Sequence, residues 1–200
     1  MNLFNKDELE LDLSEVCGID EAGRGPLAGP LVVAGVVLKT EIKELNDSKK
    51  LSPKKRNELY ELIKKNSKYY IYEASNKKID KDGISKCLKE ALIEIQNYFG
   101  KDINYIYDGN CNYGQKSIIT IIKADSKIKS VSAASILAKV YRDNLMLEFD
   151  KKYPEYGFKN HKGYGTKEHI EAIKKYGYCK IHRVTFKIKE LENIEQKALF

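Results

Sequence analysis

The stretch Val16–Pro30, which reads VCGIDEAGRGPLAGP, most constrains what this chain can fold into. A short apolar run ends there on two adjacent carboxylates, Asp20 and Glu21, and a Gly-Arg-Gly loop follows directly at Gly23–Gly25. Two neighbouring acids at the end of a buried strand repel each other, and burial disfavours both charges, unless a cation compensates. The stretch therefore predicts half of a divalent-metal site beside a tight turn that can approach a phosphate or a sugar.

Two more acids stand directly after strand-like runs. Asp108 follows YIY, and Asp125 follows IIKA. If these strands are parallel neighbours, the four acids meet at one edge of the sheet, where their oxygens suit Mg²⁺ or Mn²⁺ and in-line phosphoryl displacement. Successive strand residues point to opposite faces, so Asp20 and Glu21 share one site only if the strand ends or twists there. Taken singly, Asp108 and Asp125 also fit ordinary turns.

Cysteine and histidine form no metal-binding pattern in the sequence. The four cysteines, Cys17, Cys87, Cys111 and Cys179, are scattered without a CxxC pair, which argues against a zinc knuckle and favours reduced thiols. The histidines His161, His169 and His182 do not share ligand spacing on one element. Phosphate contact or a plain structural role is therefore favoured over metal binding for these three.

Charge and hydropathy favour a soluble protein with a polyanionic partner. The formal net charge is +7 and 42% of the residues are hydrophobic. A positive balance fits nucleic acid, although compositional bias or solvating lysines give the same charge. No apolar run approaches the roughly 20 residues of a membrane span, and the acidic start MNLFNKDELELDL lacks the layout of a signal peptide. We expect a cytoplasmic protein without membrane contact.

Periodicity and capping signals predict a mixed α/β sheet with helices on its faces. The predicted strands are Val16–Asp20, Leu31–Leu38, Tyr69–Ala74, Asn104–Tyr107 and Ser117–Lys123. The predicted helices are Pro53 to about Lys65 after a Ser52 cap, Ile79–Phe99, Val131–Phe149, 167–176 after a Thr166 cap, and about Lys189–Leu199. A glycine-rich loop is expected from Gly157 to Gly165.

Loops around the acids offer candidate substrate contacts. Lys49 and Lys50 can contact phosphates, which positions a nucleic acid without reading its sequence. Tyr164 stands between two glycines and can stack on a sugar or a base, or can simply pack on the domain. The Gly-Arg-Gly loop does not complete a dinucleotide fingerprint, because the next glycine is Gly29 and the acids precede the loop. A loop that meets a sugar-phosphate backbone fits better.

Five motifs together make the chain resemble bacterial ribonuclease HII, the type 2 ribonuclease H. The resemblance covers nearly the whole chain, in order and at family-like spacing. The motifs are GIDEAGRGPLAGP at 18–30, DSKKLS at 47–52, DGN at 108–110, KAD followed by SVSAASILAKVYRD within 123–143, and HKGYGT at 161–166 with HRVTF at 182–186.

The resemblance implies a ribonuclease H-like fold, with a five-stranded mixed sheet, flanking helices and a small helical C-terminal part. It implies a catalytic domain over residues 1–150, and a helical part over residues 151–200 that contacts substrate. It also implies metal-binding catalytic acids and a set of substrate contacts. The implied acids are Asp20, Glu21, Asp108 and Asp125; the implied contacts are Gly23, Arg24, Gly25, Lys49, Lys50, Tyr164 and Arg183.

In this reading, the chain is a Mg²⁺- or Mn²⁺-dependent endonuclease, with a two-metal site. It acts on RNA–DNA hybrids and cuts 5′ of single ribonucleotides in duplex DNA, leaving a 5′-phosphate and a 3′-hydroxyl. The Gly-Arg-Gly loop contacts the 2′-hydroxyl side of the junction and Tyr164 stacks on the following deoxyribose. Lys49, Lys50 and Arg183 hold phosphates, and Asp143 has a structural or supporting role.

Two alternatives stay open in the sequence, and a third is excluded. A ribonuclease HIII-type enzyme would cut hybrids and neglect single embedded ribonucleotides, but the short N-terminus and the tyrosine-bearing loop argue against it. A non-catalytic hybrid-binding module would bind without metal, and a nucleotide-binding regulatory domain fails on its glycine spacing. We expect a monomer. The segment Gln196–Phe200 suggests a contact with a replication clamp, for which a frayed helix end is the competing explanation.

Overall fold

A five-stranded mixed sheet organises this computed structural model, which describes residues 15–45 and 52–187. The strands are β1 (Val16–Ala22), β2 (Leu31–Leu38), β3 (Ser67–Ala74), β4 (Asn104–Asp108) and β5 (Ile118–Ile121). They lie in the order β3-β2-β1-β4-β5. β4 is parallel to both β1 and β5, while β2 is antiparallel to both β1 and β3. The predicted fold class is confirmed.

Helices cover both faces of the sheet. They are α1 (Pro53–Asn66), α2 (Asn76–Asp82), α3 (Ile84–Phe99), α4 (Lys129–Lys152), α5 (Phe158–His161) and α6 (Lys167–Tyr176). Short 3₁₀ turns span Ala124–Ser126 and Pro154–Tyr156. Every residue of β2 is buried, as expected for a β-branched strand between two helical layers. One apolar cluster contains β2 and α3 residues, and a second contains β2, α1 and α4 residues.

Close contact between β1 and α4 depends on Gly18. A Cβ at this position would lie 2.1 Å from the backbone of both Ser130 and Val131, so only glycine fits. Small side chains on α4, including the buried Ala133 and Ala134, continue this close packing. The acid-bearing end of β1 is therefore fixed against the first half of α4.

Three predicted elements need correction. The helix predicted over Ile79–Phe99 is two helices, since Gly83 has a φ of 80° and separates α2 from α3. The strand predicted to reach Lys123 ends at Ile121, and Lys123 adopts a left-handed conformation (φ 58°) before a 3₁₀ turn. The predicted loop over 157–165 contains α5. The predicted Lys189–Leu199 helix lies outside the described residues.

The C-terminal part packs against the loop that follows β1. A cluster of buried apolar side chains from both regions joins them, and its largest members are Met146, Tyr156, Phe158, Ile173 and Ile181, around Ala28. The division near residue 150 stays a prediction. In the portion of the chain that the structure describes, none of the helices is long and apolar enough to cross a lipid bilayer.

Candidate active site

Three carboxylates converge at the sheet edge where β1 and β4 end. Because β1 and β4 are parallel and pair Ile19 with Tyr107, the next residues of each strand, Asp20 and Asp108, are neighbours. Asp125 comes from the 3₁₀ turn after β5. The Ala124 amide donates a 3.2 Å hydrogen bond to Oδ1 of Asp108, which ties this turn to β4. One carboxylate oxygen from each of the three acids lies within 4.8 Å of the others.

Glu21 lies in the same cleft but outside this three-acid group. Its Oε2 accepts a 2.6 Å hydrogen bond from the Tyr107 hydroxyl, and its Oε1 lies 3.4 Å from an Arg24 nitrogen. The Glu21 amide donates a 2.8 Å hydrogen bond to Oδ1 of Asp20. Strand alternation thus separates the two side chains, and the sequence did not reveal that a neighbouring tyrosine holds the second one.

The electrostatics of the acids favour a bound cation. Burial, reinforced by the neighbouring Glu21 carboxylate, raises the pKa of Asp20 to about 8, although hydrogen bonds from the Ser135 hydroxyl and the Glu21 amide oppose the rise. Burial also raises the pKa of Glu21, against the effects of Tyr107 and Arg24. Burial and mutual repulsion favour the protonated, neutral form of these acids. A divalent ion among them would favour the charged carboxylates instead. An all-carboxylate donor set fits Mg²⁺ or Mn²⁺.

The cleft that holds the acids also brings in the predicted substrate loops. Its volume is about 480 Å³, and Gly23, Arg24, Gly25 and Tyr164 line it with Asp20, Glu21 and Asp108. Tyr164 is 44% exposed, and the Arg142 guanidinium lies 5.8 Å from its ring centroid. The tyrosine is therefore neither buried in the core nor detached from it. The ring is presented to the cleft.

Arg183 is a correction to the predicted site. Its side chain is buried, with 1% exposure, and its guanidinium donates hydrogen bonds to three backbone carbonyls, at 2.7, 3.1 and 2.9 Å from Gly23, Arg24 and Gly29 respectively. Each of the three guanidinium nitrogens thus donates a hydrogen bond to a carbonyl of the segment 23–29. The prediction that Arg183 holds a phosphate is therefore wrong. This arginine shapes the loop from beneath.

A second buried arginine joins the two substrate loops. Arg142, with 1% exposure, donates to the carbonyls of Ala28 and Pro30 on one side and Lys162 on the other, at 3.1, 2.9 and 3.0 Å. The sequence singled out neither its burial nor this function. Its position directly before Asp143, in a helix rich in small residues, was the available signal.

Sequence reasoning also missed three polar residues that line the cleft, Arg56, Ser135 and Lys139. Ser135 and Lys139 lie four residues apart on α4 and so share a face of the helix, a signal that the sequence contained. Lys139 forms a 2.7 Å ion pair with Asp143, so a supporting role for Asp143 stays a reasonable prediction. Lys49 and Lys50 lie outside the described residues.

Comparison with known proteins places this geometry in a family. The sequence model of the family described as Ribonuclease HII matches residues 17–189. The chain belongs to the ribonuclease HII family. Its acids, Gly-Arg-Gly loop and Tyr164 all lie within the matched region, so the family assignment covers the whole cleft described above.

Curated relatives and solved structures agree with the assignment. Ribonuclease HII of Campylobacter hominis is 57% identical over 181 residues, covering 90% of this chain and 98% of the relative. Ribonuclease HII of Sulfurovum sp. (strain NBC37-1) is 53% identical over 184 residues, covering 92% and 97%. The ribonuclease HII of Archaeoglobus fulgidus, solved in a complex with PCNA, superposes with a TM-score of 0.76 at 29% identity, covering 88% of this chain and 96% of that one.

The family assignment establishes the class of chemistry. Ribonucleases HII are type 2 ribonucleases H, nucleases that act on RNA–DNA hybrids and depend on divalent metal ions. The present chain is therefore an enzyme of this class. Its carboxylate cluster and open cleft are consistent with that activity.

Proposed function

We propose that this ribonuclease HII cuts 5′ of single ribonucleotides embedded in duplex DNA, besides cutting RNA–DNA hybrids, and leaves 5′-phosphate and 3′-hydroxyl ends. The observation that carries the proposal is that Gly23–Gly25 and Tyr164 line the same cleft as Asp20 and Asp108. The loop that would contact the 2′-hydroxyl and the ring that would stack on a sugar therefore lie beside the acids. Since the 2′-hydroxyl alone distinguishes one ribonucleotide from DNA, cleavage at a single site requires such an arrangement.

Asp20, Asp108 and Asp125 would hold Mg²⁺ or Mn²⁺, and Glu21 would complete a two-ion site. When bound, such ions activate a water and stabilise the departing oxygen of a phosphodiester. The protein contributes the fixed geometry of the carboxylates. Ala124 anchors Asp108, while Tyr107 and Arg24 orient Glu21.

The loops supply the proposed selectivity for the RNA–DNA junction. Arg183 holds the carbonyls of Gly23 and Arg24, which leaves the opposite side of the loop for the substrate. Arg24, with half of its side chain exposed, reaches Glu21 and so links this loop to the acids. Tyr164 would stack on the deoxyribose that follows the ribonucleotide. Contacts of Lys49 and Lys50 with phosphates belong to the same proposal.

The remaining partners are also proposals. The ribonuclease HII of Archaeoglobus fulgidus has been solved in a complex with PCNA. We propose that the present chain also contacts a replication clamp, through residues 196–200, which lie outside the described region. We propose that the chain acts as a monomer, because the described cleft contains acids and substrate loops from a single chain.

The deciding experiment uses a labelled DNA duplex with one ribonucleotide and, in parallel, a uniform RNA–DNA hybrid. We expect cutting on the 5′ side of the ribonucleotide in Mg²⁺ or Mn²⁺, and none in EDTA. Cutting of the hybrid alone would contradict the roles of Tyr164 and Gly23–Gly25, and would indicate a specificity of the ribonuclease HIII type. Binding without cutting in either metal would indicate a hybrid-binding module.

A further inference from the structure

Three buried histidines form a cluster behind the Tyr164 loop that the proposed chemistry does not use. His161, His169 and His182 are 8%, 0% and 1% exposed. The rings of His161 and His169 stack with centroids 4.4 Å apart, and Phe158 packs its ring against all three. None of the three is among the described residues that line the cleft. Burial of three imidazoles therefore needs its own explanation.

Hydrogen bonds fix the proton positions on two of these rings. The Cys179 amide donates a 2.8 Å hydrogen bond to Nδ1 of His182, which is shorter than the 3.3 Å between the same nitrogen and the Cys179 carbonyl, so we assign the proton of the neutral His182 ring to Nε2. That Nε2–H donates to Nε2 of His169 at 3.1 Å. The proton of His169 consequently lies on Nδ1, which donates to the Tyr164 carbonyl at 3.0 Å. We call this directed chain, from Cys179 through His182 and His169 to Tyr164, the histidine relay.

The segment that begins the relay also holds the other substrate loop. Ile181 accepts a 2.9 Å hydrogen bond from the Gly29 amide, and the Arg183 amide donates a 2.8 Å hydrogen bond to the Leu27 carbonyl. His182 lies between them and forms a β-bridge with Ala28. The Arg183 side chain holds the Gly-Arg-Gly carbonyls, as described above. Residues 181–183 are therefore bonded directly to the segment 23–29, and through His169 to the Tyr164 carbonyl.

We propose that His169 and His182 are positioning residues for recognition of the RNA–DNA junction, because the histidine relay fixes Tyr164 relative to the Gly23–Gly25 loop. This inference rests on the proposed function, in which Gly23–Gly25 contact the ribonucleotide and the Tyr164 ring stacks on the nucleotide that follows it. Movement of the Tyr164 loop away from its position leaves the buried Nδ1–H of His169 without its hydrogen-bond partner, which is unfavourable. Displacements near 1 Å are enough to reduce catalysis up to about a hundredfold.

Two substitutions of one residue separate the relay from simple packing. In His182→Asn, the short amide keeps an acceptor for Cys179 but does not reach His169. In His182→Gln, the longer amide places a donor near the position of Nε2. We expect His182→Asn to lower the ratio of kcat/KM for the single-ribonucleotide duplex to that for the uniform hybrid about tenfold, mainly through KM. We expect His182→Gln to keep this ratio within about twofold.

A third variant controls for loss of stability. Phe158→Leu loosens the packing of all three histidines without removing a hydrogen bond of the relay. It should lower the melting temperature and leave the substrate ratio unchanged. If Phe158→Leu lowers the ratio as much as His182→Asn does, or if His182→Asn leaves the ratio unchanged, the proposal is overturned.

A fluorescent reporter tests the position of the loop without any catalysis. The sequence contains no tryptophan, so Tyr164→Trp introduces a single one at the tip of the loop. Adding His182→Asn should increase its quenching by acrylamide and lower its anisotropy, whereas adding His182→Gln should do neither. Equal quenching in both double variants overturns the proposal. If the wild-type enzyme cuts no single-ribonucleotide duplex, the proposed function fails, yet this comparison still decides whether the relay holds the loop.

The wild-type protein provides a measurement that needs no variant. Long-range ¹H–¹⁵N spectra of protein labelled at histidine, recorded at neutral pH, identify the protonated nitrogen of each ring. We expect Nδ1–H at His169 and Nε2–H at His182. The opposite tautomer at either residue breaks the direction of the relay and overturns the proposal.

Discussion

The Tyr107 hydroxyl lies 2.6 Å from Oε2 of Glu21 and donates a hydrogen bond to it. Tyr107 is buried beneath the acids, so this bond fixes the glutamate from the protein side and leaves Arg24 to contact it from the solvent side. Residues that orient a metal-binding carboxylate commonly change metal affinity or activity 10- to 100-fold when they are removed.

Tyr107→Phe should therefore raise the Mn²⁺ or Mg²⁺ concentration that gives half-maximal activity by about tenfold. Metal titrations of hybrid cleavage measure this directly. Tyr105→Phe is the matched control, because Tyr105 lies two residues earlier on β4 and donates to the backbone carbonyl of Gly100, away from the acids. An equal change in both variants would show that loss of a buried hydroxyl, and not of the bond to Glu21, is responsible.

Asp108→Asn should leave the fold intact and reduce turnover by about a hundredfold or more, since it removes one charge from the metal site. Asparagine retains an oxygen that can accept the Ala124 amide, so the turn after β5 should persist. Added Mn²⁺ should raise the melting temperature of the wild type more than that of the variant. A metal ion stabilises the folded state only to the extent that it binds there, and the variant should bind it more weakly.

Asp102→Asn is the control for this substitution, since Asp102 is an exposed acid shortly before β4. Steady-state cleavage assays and thermal melts with and without Mn²⁺ give both readouts. Undiminished turnover of Asp108→Asn would remove Asp108 from the catalytic set.

The sequence predicted the convergence of acids because their position depends on local pattern. Each acid directly follows an apolar run, and parallel strands end at the same sheet edge, so Asp20 and Asp108 became neighbours without further information. The split of the Ile79–Phe99 helix was missed, since one positive φ at Gly83 interrupts an otherwise helical apolar periodicity.

Contacts between segments that are distant in the chain could not be predicted from the sequence. An arginine in a motif such as HRVTF suggests a phosphate contact. Only the fold shows that Arg183 is buried and donates hydrogen bonds to carbonyls more than 150 residues earlier in the chain. The histidines likewise share no spacing on any element, and packing of α5, α6 and the following turn brings their rings together. The sequence therefore indicated which chemical groups Arg183 and the histidines carry, but not which residues these groups contact.

Arg183→Lys distinguishes the structural role of Arg183 from a phosphate contact. Lysine keeps the charge but cannot satisfy three carbonyls in fixed geometry, so the free energy of unfolding should fall by roughly 3 kcal/mol. Urea denaturation measures this change. A phosphate ligand would instead tolerate lysine, and its removal would reduce the salt dependence of substrate binding.

Arg24→Lys provides the comparison, because the Arg24 side chain is half exposed and makes one ion pair with Glu21. It should leave the free energy of unfolding nearly unchanged. Equal stability of Arg183→Lys and Arg24→Lys would contradict the conclusion that Arg183 supports the loop from beneath.

The buried histidines should make stability depend on pH. Burial lowers the pKa of both His169 and His182 to about 4, and for His182 the neighbouring His169 adds to the effect. The unfolded chain, with histidine pKa values near 6.5, therefore binds more protons than the folded chain between about pH 6.5 and 4. The contribution of these rings is complete above pH 6.5, and is lost as the pH falls toward 4, by an amount on the order of 3 kcal/mol for each ring.

Asp20 acts in the opposite direction. Its pKa is raised to about 8, so the folded protein binds the extra proton, and this carboxyl favours folding more strongly as the pH falls below 8. The difference between the wild type and His182→Asn isolates the histidine contribution, since Asp20 titrates in both proteins. Denaturant unfolding at pH 7.5, 6 and 5 should show a smaller loss of stability on acidification for His182→Asn. Parallel curves for the two proteins would mean that the pKa of His182 is the same in the folded and the unfolded protein, which would contradict the lowered pKa of this ring.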